Sequence, residues 1–407
     1  MNFRSSHQVF KTNKKYFWIY SIFKNIDFSQ ISKFLYNNFY SKNKYKNKSY
    51  DPSSLLRLYF ILESVIDKNN FNSRVDISNI DSDILNLCGF SEDLPSYSTF
   101  FYFKKRIPLT TLFMYLNKIR IAFIKVLFKK FASNKSKKNE TIVFSVDSKP
   151  VAIYGKNLPL GTIHSYNECL NGKLGIKVHH ISIIYPFYFP LVFYFTPGHY
   201  HDSPIFRKMF SLIEELISSL NKLGYISFFT GDSAYGGIEN YHMVSKIQAI
   251  PVLKAKSNSI DMNKFSIEDD KIYCIYNRRP LHKNGKEKST GRLNFKCYKP
   301  ECNFKETCSK KLWLRNLDDL KSSTENILIH KLRFEICQSE LFDYIYRLRP
   351  RIEHIHGIWT KQLKLKNIFY CANYNELLNL ELKIMSNSTE HFLLNSIKSP
   401  LKYFHLI

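Results

Sequence analysis

Apolar residues recur at helical spacing over two stretches of the first third of the chain. In 52–66, Leu55, Leu58, Leu62 and Val65 or Ile66 fall along one face. Asp51 and Pro52 open this run as an N-cap and a proline at the first helical position, where the missing N–H costs nothing. In 112–128 a second stripe is formed by Leu112, Leu116, Ile119, Phe123 and Leu127, with Lys118, Arg120 and Lys125 off it. Between the two lies LPSYSTFFYFKKRI, a turn followed by an aromatic, basic segment. There Lys104, Lys105 and Arg106 either contact a DNA backbone or form a solvated basic face.

After a polar, charged linker at 132–140 the period changes from helical to short β-rich runs: TIVFSVD, VAIY, GIKVHHISIIY and PLVFYFT. The pattern then predicts a helix over 203–223 with Asp202 as N-cap, a strand YISFFTGD, a helix near 237–247 and a strand AIPVLKA. Three strands in succession, then alternating helix and strand, indicate an α/β domain with a mixed sheet. From 256 to 332 the pattern dissolves into polar, cysteine-containing sequence, and a helical stretch returns over 334–366. The expected organisation is a helical region (1–131), the linker, a first core part (141–256), an insertion (257–332) and a second core part with the C-terminal tail (333–407).

Composition narrows the class. The chain has 407 residues, and 60 Lys+Arg against 34 Asp+Glu leave a formal charge of +26 at pH 7. Such a surplus concentrates polyanions and points to nucleic acid as a partner. The most apolar stretch, 181–195, is shorter than the ~20 residues needed to span a bilayer and contains Pro186 and Pro190, so it reads as two buried strands joined by a turn. The apolar run YFWIYSIF after Lys14 and Lys15 has no small-residue cleavage site behind it, which argues against secretion. Eight cysteines are too few for a disulfide scaffold, so a reducing, cytoplasmic setting is expected.

In so basic a chain, an acidic residue ending an apolar strand stands out. Asp147 ends VFSVD and Asp232 ends SFFTGD. Strand ends of an open α/β sheet face the crevice where ligands bind. Two carboxylates there either cap turns or form a hard oxygen site suited to Mg²⁺. A third acid, Glu353, lies in YIYRLRPRIEHIHGIWTKQLKLK. Tyr346, Arg349 and Glu353 are spaced three and then four apart, which puts them on one helical face, with Pro350 kinking the helix.

The order Asp147, Asp232, Glu353 with Tyr346-x2-Arg349-x3-Glu353 resembles the DDE transposases of bacterial insertion sequences, in the group named for its Y-R-E-K signature. SYDPSSLLRLYFILES and LPSYSTFFYFKKRI look like that group's helical N-terminal, DNA-binding domain; VDSKPV, GIKVHH, TPGHYHDSPIF and GDSAYGG look like its catalytic core. The resemblance implies an RNase H-like fold and a metal site of Asp147, Asp232 and Glu353 holding Mg²⁺ (or Mn²⁺). It also implies double-stranded DNA, both transposon ends and target, as substrate, held by a homodimer with no membrane partner. Two such ions, roughly 3.5–4 Å apart, would activate the attacking oxygen and stabilise the leaving one. Tyr346 and Arg349 would contact DNA. The signature lysine falls at Thr360 here; Lys361 lies about 80° around a regular helix from Glu353, and Lys364 returns to its face about 16 Å further along. Either of the two is the candidate DNA contact. The rival readings are a DNA-binding derivative that does not cut, and an RNase H-like nuclease that does not join strands.

Cys274, Cys297, Cys302 and Cys308 form either a candidate structural Zn²⁺ site, with gaps wider than the usual two-residue knuckle, or a set of reduced thiols. His354 and His356 read as packing or DNA-facing residues, and His199 and His201 as a loop near the active site with no catalytic role.

Overall fold

A computed structural model describes residues 29–37, 50–65, 82–91, 94–96, 98–99, 102–103, 109–133, 140–154, 175–255, 265–268, 271–287, 292–297, 311–314, 323–362 and 367–369. Lys104, Lys105, Arg106, Cys302, Cys308 and Lys364 lie outside these residues. The chain divides into two compact units. One comprises Met1–Lys138, Ser148–Tyr200 and Glu353–Ile407, and the other Asn139–Asp147 and His201–Ile352.

In the first unit, helices α1 (Ser29–Leu35), α2 (Pro52–Val65), α3 (Ser82–Cys88) and α4 (Leu109–Ser133) precede the sheet. The N-cap of α2 forms as expected: the Asp51 carboxylate accepts from the Ser54 N–H at 3.3 Å and from the hydroxyls of Ser32 and Ser53. Leu55 and Leu58 are buried beneath it. Strands β2 (Gly175–Tyr185) and β3 (Phe189–Pro197) form the antiparallel pair expected from 181–195.

The α4 helix corrects one expectation. Arg120, although off the apolar stripe, is 1% exposed and lies 4.7 Å over the Phe193 ring. Its Nε donates to the Leu191 carbonyl at 3.0 Å, and Asn117 both donates to the Phe193 carbonyl and accepts from the Phe193 N–H, each at 3.0 Å. The register of β2 against β3 shifts between Ile181 and Ser182, so Leu191 is the extra residue of a bulge and its carbonyl is turned out to Arg120. A guanidinium can be buried there because its Nε meets the Leu191 carbonyl and one terminal nitrogen donates to the Asn117 side-chain oxygen.

In the second unit, the first part of β1 (Glu140–Tyr154), up to Val146, runs parallel to β4 (Tyr225–Gly231), and β4 runs parallel to β5 (Ile250–Leu253). The strand order is β3-β2-β1-β4-β5, and β11 (Asn367–Phe369) pairs with the far end of β1. The β1 strand is single, whereas the sequence suggests two runs; Pro150 is accommodated within it.

The helix expected over 203–223 is two helices, α5 (Asp202–Ser211) and α6 (Glu214–Lys222). Leu212 and Ile213 bond to carbonyls three residues back, and the Ser211 hydroxyl donates to the Lys208 carbonyl. This tightened turn ends the α-helical ladder while the buried series Met209, Ile213, Leu216 and Leu220 continues through it. Asp202 is the first helical residue, and His201 occupies the cap position without a side-chain bond.

α7 (Ile238–Lys246) starts after Gly237 as expected. Phe144, Phe206, Phe210, Phe229 and Tyr235 pack together as a core, with Phe144 and Phe229 stacked at 4.9 Å across neighbouring strands.

The region 257–332 is more ordered than its polar texture suggests. It carries the hairpin β6 (Phe265–Glu268) with β7 (Lys271–Cys274), and a three-stranded sheet of β8 (His282–Lys286), β9 (Leu293–Lys296) and β10 (Lys311–Leu314). Phe265, Ile272, Leu281, Leu293, Phe295, Leu312, Leu314 and Ile327 make its apolar cluster. The following helix, α8 (Ser323–Cys337), begins well before residue 334, and α9 (Glu340–Tyr346) and α10 (Arg351–Gln362) follow. Among the described residues, no helix is long and apolar enough to cross a membrane.

Candidate active site

In the parallel register of β1 and β4, Val146 stands opposite Gly231. Asp147 and Asp232 are the next residues in the sequence, so they follow adjacent positions of strands about 4.8 Å apart. The β1 strand continues past Asp147 to Tyr154, so Asp147 directly follows the last β4-paired residue and does not end the strand as the sequence suggests.

The turn after β4 is built around glycine. A Cβ at Gly236 would lie 1.9 Å from the Lys254 carbonyl oxygen, and one at Gly231 would lie 2.8 Å from a Val146 methyl. The Asp232 carboxylate accepts from the Ala234 N–H at 2.8 Å, and its carbonyl accepts from the Tyr235 N–H at 3.1 Å. The side chain is thus held by its own turn.

Arg349 meets Asp147: a guanidinium nitrogen lies 3.7 Å from the carboxylate, with both side chains mostly buried. Its backbone setting differs from the expected one. Helix α9 ends at Tyr346, residues 347–350 form a turn, and α10 starts at Arg351. Proline at 350 lacks an N–H and disfavours helix for the residue before it, so the helix breaks where a kink was expected. Tyr346, Arg349 and Glu353 therefore do not share one helical face. Tyr346 stacks on Phe342 at 5.0 Å. Glu353 lies exposed in the first turn of α10.

Within the first unit, α10 meets β2. His356, one turn beyond Glu353, has its Nε2 2.7 Å from the Nε2 of His180, which is fully buried. The Nδ1 of His180 is 2.7 Å from the Ser182 hydroxyl, and Lys149 Nζ donates to the His356 carbonyl at 3.0 Å. Burial, then the neighbouring His356, His179 and Lys149, hold His180 well below the ordinary imidazole range. His354 lies beside Tyr188, ring centroids 5.8 Å apart. The packing expectation for His356 is met; the role of His180 was signalled only by two histidines interrupting an apolar strand.

Among the described residues no group of three or more His, Cys, Asp or Glu is gathered as metal ligands. Cys274 is buried in β7, and Cys297 packs against the apolar cluster of the 265–327 region.

No curated protein matches the chain. Residues 138–386, more than half of it, match the family described as the transposase DDE domain. The strand order and the mixed sheet fit an RNase H-like core of that kind. Together with Asp147 and Asp232 at neighbouring positions in that sheet, this match establishes that the chain belongs to the DDE-domain transposases of insertion sequences.

Proposed function

We propose that this transposase binds the terminal inverted repeats of its own element, cleaves there and joins the 3′ ends to target DNA, with Asp147, Asp232 and Glu353 as its acidic centre. The observation carrying this reading is the β1–β4 register, in which Asp147 and Asp232 directly follow the facing residues Val146 and Gly231, in a chain of net charge +26. Their all-oxygen donor chemistry fits a hard divalent ion, Mg²⁺ or Mn²⁺, and suits soft metals poorly. Such ions, when bound, would activate the attacking oxygen and neutralise the leaving one.

The chain's own residues supply orientation. The Ala234 N–H fixes the Asp232 carboxylate, and Arg349 offsets the charge of Asp147. Lys361 or Lys364 then contacts the DNA, as do Tyr346 and the basic segment Lys104, Lys105 and Arg106. The helical residues 1–131 provide end recognition, and a homodimer holds both ends.

The test is cleavage of inverted-repeat DNA in Mg²⁺ by Asp147→Asn. Cleavage should be abolished with end binding retained; cutting at the wild-type rate would remove the acid assignment. Products that are nicked and never joined to target would favour a nuclease.

A further inference from the structure

We infer that His180 and His356 are positioning residues for Glu353: their ring-to-ring hydrogen bond, with the Lys149 contact, fixes helix α10 on strand β2 and so sets where the Glu353 carboxylate stands. This rests on the reading of Glu353 as a metal-binding acid.

The geometry is specific. Two imidazole nitrogens 2.7 Å apart share one proton, because two facing N–H groups would repel and two bare nitrogens would have nothing to exchange. His180 cannot turn away: Ser182 holds its other nitrogen, and the Phe193 ring stacks on it at a centroid distance of 6.0 Å. Its alternate neighbour His179 points to the other face of the strand, where Thr196 meets its Nε2 at 2.8 Å. The strand thus presents one fixed nitrogen to α10. Lys149 adds a second point of attachment, on the helix backbone and not on a side chain. Two attachments at one residue limit both rotation and sliding of the helix. Residues three apart on a helix are surface neighbours, so Glu353 sits one turn from this anchor and inherits its position.

Buried histidine is also a costly way merely to fill space. An apolar residue would pack in β2 without a polar group to satisfy. The hydrogen bond explains the choice, since it specifies one helix position where apolar packing tolerates several.

The experiment uses the full chain. Selective ¹⁵N-histidine labelling should show a coupling between the Nε2 atoms of two imidazole rings, lost in His356→Ala. In the same proteins, Mn²⁺ binding is measured by water-proton relaxation, and end-DNA binding and cleavage are measured alongside. His356→Ala should raise the Mn²⁺ concentration at half-saturation about tenfold or more and leave end-DNA affinity within about twofold. His356→Gln, which keeps a side-chain donor and acceptor, should recover part of the metal affinity.

An unchanged Mn²⁺ midpoint in His356→Ala, or a loss of DNA affinity as large as the loss of metal affinity, overturns the inference, as does absence of the coupling in the wild type. Glu353→Gln separates the two levels of the argument. If it cleaves like the wild type, the acid reading fails. If it is inactive while His356→Ala binds Mn²⁺ normally, only the positioning role fails.

Discussion

Arg349 stands against Asp147 at 3.7 Å, an ion pair formed where the neighbouring strand ends in a second carboxylate, Asp232. Two like charges about 5 Å apart repel by roughly 1 kcal/mol in water and several times more in a partly buried setting. A cation beside one of them offsets this. Arg349→Ala should lower the thermal midpoint in EDTA by a few degrees, at about 2–4 °C per kcal/mol for a domain of this size. Added Mg²⁺ should then raise the midpoint of the variant more than that of the wild type. Equal Mg²⁺ shifts in the two proteins would mean that Arg349 does not balance the acidic pair.

Gly236 tests the turn that carries Asp232. An added methyl group would overlap the Lys254 carbonyl oxygen, which belongs to the backbone and cannot swing aside. Gly236→Ala should cost about 1–3 kcal/mol by overpacking, read from urea melts. Cleavage should fall further than stability accounts for, since the same turn orients Asp232. Wild-type cleavage in this variant would show that the turn has slack.

Asp51 sets a pH dependence. Burial pushes its carboxyl up, but the hydroxyls of Ser32 and Ser53 and the backbone N–H groups of Ser53 and Ser54 outweigh this and hold it below 3.8. A carboxyl lowered in the folded state stabilises above its unfolded value, and the contribution is lost as pH falls through the folded one. Asp51→Ala should therefore cost about 0.5–2 kcal/mol at neutral pH. The gap between variant and wild type should close below pH 3.8; a gap that persists undiminished in stronger acid would assign the effect to packing.

The displaced signature lysine has a direct comparison. Helix α10 runs from Arg351 to Gln362 and so includes Lys361, while Lys364 lies outside the described residues. A charge-assisted phosphate contact is worth roughly 1.5–3 kcal/mol, about ten- to a hundredfold in end binding. Lys361→Ala and Lys364→Ala, compared at fixed salt, should show that loss at one position. No loss at either would leave the lysine of the signature without a function in this chain.

Much of the sheet was legible because apolar runs such as Ile142–Val146 and Phe228–Gly231 are buried on both faces and end in charge. The acids at 147 and 232 were visible for the same reason. Periodicity failed where apolar spacing and backbone bonding disagree: Ile213 continues the stripe of α5 while its N–H has already left the ladder. It failed again at Arg120, since charge signals solvent unless a carbonyl waits inside. The strand β8 (His282–Lys286) is mostly exposed, so it carries no apolar alternation to read. The His180–His356 bond joins residues 176 positions apart, which no local pattern encodes.

The Asn117 amide occupies both backbone hydrogen-bonding groups of Phe193, and Arg120 takes the carbonyl of Leu191, along the strand that ends the sheet order. Those are the groups through which another chain would add itself as a further strand. During synthesis, before α4 docks, nascent copies near one another could pair through that rim; once it docks, the groups of Leu191 and Phe193 are closed to recruitment. The helix that seals the sheet precedes it in the chain, so the guard emerges from the ribosome before the edge it covers.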